Sequence, residues 1–188
     1  MITIENINKV IEKIRNENTK EYIAISINGD RGLNVITSKF GGVPYIAKDA
    51  MVPVDAEGNQ LALLAQINCT ELPENDIYPK EGLLQFWISR DDSFGLDSKG
   101  TNVVKYIKDI DDNITNGDVL SKYHLPSEDN NEEYSPFHEK DASFSLTFNK
   151  GTSTITATDF LFEDIVKDAI RELFPEEQVD DLYEGLDS

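Results

Sequence analysis

The spacing of the apolar residues changes twice along this chain, and that restricts the fold more than any composition figure. Ile4, Ile7, Val10, Ile11 and Ile14 recur at helical intervals, so a helix over about 4–17 gathers them on one face, with Thr3 placed to cap it. Lys9, Lys13 and Arg15 then fall on its wet side. EYIAISI at 21–27 instead alternates with the period of a strand, and GDRG at 29–32 reads as a turn into LNVIT, which predicts a hairpin. Further strands are expected near 60–67, 83–89, 102–107 and 143–148, with DAEGN at 55–59 and NKGT at 149–152 as turns. Helical spacing returns in Phe162, Ile165, Val166, Ala169, Ile170 and Leu173, behind a cap at Thr158 or Asp159 and ahead of Pro175. A last short helix around 176–184 is expected to dock through Val179, Leu182 and Tyr183. The pattern is that of an α+β fold, a mainly antiparallel sheet with an N-terminal helix and a C-terminal covering helix.

A chain of 188 residues suffices for one substantial core, and 1–188 is read as a single domain with an acidic C-terminal end. DIDDNITNGD at 109–118 and SEDNNEE at 127–133 lack a sustained apolar face, so 109–141 reads as a polar, loop-rich insertion with a short strand at VLSKYHL.

Charge narrows the partners. Thirty-six acids against 17 bases leave a formal charge of −19. Residues 1–40 are nearly balanced, with six bases and five acids, so the remainder carries the excess. A field of that sign opposes nucleic acid and anionic lipid and favours a basic protein as partner. The start of the chain lacks the basic opening and apolar run of a secretory leader, and LALLA at 61–65 is far short of a membrane span. Cys69 is the single cysteine, so neither an internal disulfide nor a thiolate cluster can form within one chain, and a reducing cytoplasm is the expected compartment.

Sites of known chemistry are missing from the sequence. Gly41-Gly42, followed by Pro44, resembles a phosphate cradle only at first sight, because the phosphate-loop lysine and the third glycine of a dinucleotide fingerprint are both absent. Backbone geometry is the leading role for this pair, and ligand contact the alternative. His124 and His138 have no metal-ligand spacing. Asp109, Asp111 and Asn113 begin like a calcium loop, but Ile114 and Leu120 stand where that loop needs glycine and glutamate. The adjacent pairs Asp91-Asp92, Glu132-Glu133 and Asp180-Asp181 do not face a common gap as general acid/base pairs must. No GxSxG elbow occurs, and Cys69 has no recognisable base. Phe86, Trp87, Phe94 and Tyr106 read as core and surface-anchor residues rather than a base-stacking platform. No catalytic residue, metal site or cofactor is assigned.

Three stretches taken together, SKFGGVPYI at 38–46, LLAQINCTELP at 63–73 and KEGLLQFWISRDDSFGLD at 80–97, resemble the YwqG-like family of bacterial proteins. Gly41, Gly42, Pro44, Gln66, Asn68, Glu71, Gly82, Gln85 and Phe86 carry that resemblance. It implies a twisted, mainly antiparallel sheet with an internally repeated arrangement, and no defined reaction. Members of the family continue into a second related segment, so this chain is read as a short or truncated version.

Gly41, Gly42, Gln66 and Asn68 are the candidate ligand-binding residues. The competing reading is that Gln66 and Asn68, which share strand parity, satisfy buried backbone groups of the Gly41–Pro44 turn. The leading function is a non-enzymatic acidic interaction domain, with toxin neutralisation or regulatory binding added by analogy with related small bacterial domains. The alternatives are a hydrolase or small-ligand protein using a polar cleft with Gln66, Asn68 or His124, and a structural half of a larger repeated assembly.

Overall fold

The computed structural model describes residues 3–29, 33–97 and 101–176. In chain order the elements are α1 (Ile4–Asn18), β1 (Lys20–Asn28), β2 (Lys39–Gly41), β3 (Ala62–Asn68), β4 (Leu83–Ile88), β5 (Val103–Ile107), α2 (Asn116–Leu120), β6 (Ser143–Ser153) and α3 (Phe162–Leu173), with one 3₁₀ turn at Cys69–Glu71. The six strands form a sheet of order β1-β6-β2-β3-β4-β5, and the pairs from β6 to β5 are antiparallel. The fold is α+β, with a helix at either end of the strand series. Two compact units divide the chain, Met1–Tyr22 with Lys150–Ser188, and Ile23–Asn149.

In the first unit, Thr3 caps α1 by accepting from the Asn6 N–H at 3.2 Å. The helical stripe is narrower than its spacing predicts, since Val10 and Ile14 are buried while Ile4 stands 78% exposed. Their partners are Val166, Ala169 and Ile170 of α3, flanked by Ile155, Phe162, Ile165 and Phe174. Each fully buried aliphatic side chain in such a seam contributes roughly 1.5–3 kcal/mol, so this helix pair is held by its seam rather than by propensity. Lys13 bridges Glu17 and Glu172, both at 2.6 Å, which ties the wet edges of the two helices together. α3 has no side-chain cap at its N-cap residue Leu161; the Asp159 carboxylate instead accepts from the Leu161 N–H.

The second unit holds the larger core: Val35, Tyr45, Ile46, Leu61, Leu63, Leu83, Trp87, Val119 and Tyr123. β4 alternates buried and half-buried residues, pointing Leu83, Gln85 and Trp87 inward, as a strand with one dry face must. Trp87 meets Tyr123 edge-on at 5.9 Å.

Three expected features differ. LNVIT is not a strand; Val35 is fully buried, and the carbonyls of Val35, Ile36 and Thr37 go to side-chain amides instead of a strand ladder, so β1 lies beside β6. NKGT is no turn, because β6 runs through it; Gly151 is there for close approach, since a β-carbon would stand 2.7 Å from the Tyr22 ring. VLSKYHL forms the end of α2 and a following loop, started by a capping box between Thr115 and Asp118, and Val119 and Tyr123 drive it into the core. DAEGN does turn, with the Asp55 carboxylate accepting from the Glu57 and Asn59 N–H groups. The helix expected at 176–184 lies almost entirely outside the described residues.

Candidate functional site

No cleft lined wholly by described residues holds the four candidate residues together. Gln66 is fully buried, and its amide makes all four hydrogen bonds open to it. Its oxygen accepts from the Tyr45 N–H at 2.9 Å and from Gln85 Nε2 at 2.8 Å, and its nitrogen donates to the carbonyls of Val35 at 2.6 Å and Thr37 at 3.0 Å. Asn68 Nδ2 donates to the Ile36 carbonyl at 3.2 Å, while its N–H reaches Ser38 Oγ. Gln66 and Asn68 together hold the segment 35–38 and, beyond the glycines, Tyr45.

Gly41 and Gly42 face elsewhere. Both have left-handed backbone, φ +62° and +68°, which an L side chain rarely adopts. A β-carbon on Gly41 would overlap the Ala142 carbonyl oxygen, and one on Gly42 would stand 2.6 Å from Ser143 Cβ. The pair therefore turns the chain tightly against the start of β6. Gly42 also lines a cleft of about 190 Å3 with Leu33, Val43, Leu125, Asp141 and Ser143.

Sequence reasoning named Gln85 only as a family marker and gave neither it nor the nearby Lys39 a place in the site. Gln85 donates to the Tyr45 carbonyl at 2.7 Å and accepts from Trp87 Nε1 at 3.2 Å. Lys39 is fully buried and donates to the Asn34 carbonyl at 2.6 Å. The legible signal was an amide at an inward position of each apolar strand, Gln66 in β3 and Gln85 in β4.

A second and larger cleft, about 610 Å3, opens beside Arg90. Arg90 is buried, and Nη1 donates to Glu133 Oε1 at 3.0 Å while Nη2 donates to the carbonyls of His124 at 2.7 Å and Leu61 at 3.3 Å. Its guanidinium also lies 5.5 Å from the centre of the Tyr123 ring. Glu133 is shared further: His124 Nε2 stands 3.1 Å from Oε1, and the Ser127 N–H donates to Oε2 at 3.0 Å. Burial pushes the Glu133 carboxyl up, but the Ser127 N–H, His124 and Arg90 together outweigh it and hold the group below the usual carboxylate range. Asp55, Glu57, Asp91 and Glu132 complete the acidic lining. The N–H of Gly95, then Ser89 and Ser93, hold Asp91 below its ordinary value. The Asp91 loop turns through Phe94 at φ +52°.

Other candidates occupy structural positions. Asp111 accepts from the Asn113 N–H and side-chain amide within its own turn. Among the described residues no three His, Cys, Asp or Glu side chains are grouped to hold a metal ion. Cys69 is buried, and burial pushes its thiol up. No helix among the described residues is long and apolar enough to cross a membrane. A family model described as "Domain of unknown function (DUF1963)" matches residues 38–188. No curated protein matches the chain.

Proposed function

The chain belongs to the DUF1963 family, and on that premise we propose that it is a cytoplasmic, bacterial YwqG-like protein acting as an acidic, non-enzymatic interaction domain for a basic protein. One observation carries this reading. The only guanidinium among the described residues lining the Arg90 cleft is already neutralised by Glu133, while the neighbouring Glu57 and Glu132 make no ion pair with another described residue. A cleft so arranged attracts lysine or arginine side chains, and the net charge of −19 steers a cationic surface toward it.

The test is affinity capture from native lysate at low and moderate salt, comparing the wild type, the Glu57→Gln/Glu132→Gln double variant and a charge-matched control protein. A basic protein retained by the wild type and released by the variant supports the reading. Recovery equal to the control, or unaffected by the double substitution, sinks it.

A second reading, a hydrolase or small-ligand protein, is favoured by the His124–Glu133 pair. With Nε2 directed at a carboxylate, Nδ1 is left to take a proton, the arrangement expected of a general base. In this reading the small cleft is where Gly42, though not Gly41, would meet a ligand. A screen of ester, amide and phosphoester substrates with wild type and His124→Gln decides: turnover lost in the variant supports it, and rates equal in both proteins discard it.

A further inference from the structure

The buried lysine of β2 has no role in either reading above. Strand register sets it in a row of side chains on one face of the sheet: Ser145, Lys39, Gln66, Gln85 and Lys105. The groups facing Lys39 across the neighbouring strands are Gln66 on β3 and Ser145 on β6, and the preceding segment contributes the Asn34 carbonyl. None of these ionises, and the nearest charge in the row, Lys105, lies two strands beyond Gln66. The Lys39 amine makes no ion pair with a described residue, and its one hydrogen bond among the described residues is the 2.6 Å donation to the Asn34 carbonyl.

That bond adds to the other anchors of the segment: the amides of Gln66, Gln85 and Asn68 on Val35, Ile36, Thr37 and Tyr45, the Asn116 amide on the Leu33 carbonyl, the Asp111 N–H on the Tyr45 hydroxyl, and the pairing of β2 with β3 and β6. A neutral amine is served by a single acceptor in this environment. An ammonium is not, because it carries three donors and a full charge that water would solvate far better. Desolvation accordingly lowers the Lys39 amine from 10.5 to about 7.

We propose that Lys39 is a proton-operated latch: the closed segment 33–45 holds a neutral amine, and opening the segment frees that amine to become an ammonium in water. Opening then takes up a proton, so a falling pH favours it by mass action. The sign follows from the lowered closed-state value. Opening grows as pH falls from about 10.5 toward about 7 and levels off below that. Leu33, Gly42 and Val43 belong to the segment and also line the small cleft, so the latch sets the shape of that cleft.

The test is amide hydrogen exchange on peptides covering 33–45, corrected for the intrinsic pH dependence of exchange. Wild-type protection is expected to fall about tenfold per pH unit between roughly pH 9 and pH 8 and to level off below about pH 7. Lys39→Met is expected to remove this dependence, and Lys39→Arg, charged throughout, to leave the segment poorly protected at every pH. Wild-type protection that does not change with pH overturns the proposal even if neither variant folds. Lys39→Met retaining the wild-type profile overturns it as well.

Discussion

Replacing Gln66 with leucine isolates the buried amide network, because leucine nearly fills the volume while removing every polar atom. Four hydrogen bonds vanish. Gln85 Nε2 keeps one of its two bonds, to the Tyr45 carbonyl, so the groups left with no partner at all are the Tyr45 N–H and the carbonyls of Val35 and Thr37. Each buried orphan costs about 1–3 kcal/mol, and the added apolar burial returns about 1–2 kcal/mol, for a net loss of about 4 kcal/mol. Urea unfolding measures this directly, and Trp87, the single tryptophan, is a built-in probe because its Nε1 donates to Gln85 of the same network. With a slope of about 2 kcal/mol per molar urea, the midpoint should drop by about 2 M. A loss below about 1 kcal/mol with an unchanged slope would refute the argument, since it would mean that water or a shifted backbone satisfies these groups at little cost.

Three further outcomes are expected. Gly41→Ala should destabilise by about 3 kcal/mol, measured by thermal melting, because the left-handed backbone and the overlap with the Ala142 carbonyl act together. Glu133, with its pKa lowered in the fold, contributes stability that is complete above its unfolded value and lost as pH falls through the lower folded one. Glu133→Gln should therefore flatten the acid limb of a stability-versus-pH curve below about pH 4.5, and a limb unchanged from wild type would count against the Arg90 cluster. Cys69 should react with a thiol reagent at least about a hundredfold more slowly in the native protein than in urea, as its burial and raised thiol require.

The parts of the fold legible in the sequence were those whose partners are implied by their own period. α1 and α3 announce themselves because an apolar face repeats at 3.6, and β3 and β4 because each is a short, nearly continuous apolar run. LNVIT has the same strand-like composition, yet its backbone is claimed by Gln66 and Asn68, 29 to 32 residues further on, and no local pattern encodes that. Gly151 illustrates the same blindness, since a glycine that admits the Tyr22 ring reads like one that makes a turn. Of the two clefts, the one at Gly42 was reachable from the glycine pair. The one at Arg90 was hidden, because its ion pair joins residues 43 apart in a chain where 36 acids compete for the assignment.

The amide row across β3 and β4 also acts as a spelling check on strand alignment. Side chains alternate faces, so a slip of one residue would turn Gln66 or Gln85 outward and put an apolar neighbour beneath Tyr45. An oil-like interior would tolerate that error, because one aliphatic residue substitutes for another at modest cost. Here the misaligned sheet loses the amide bonds of the displaced glutamine to the segment above it, so only one pairing of these strands satisfies the whole network.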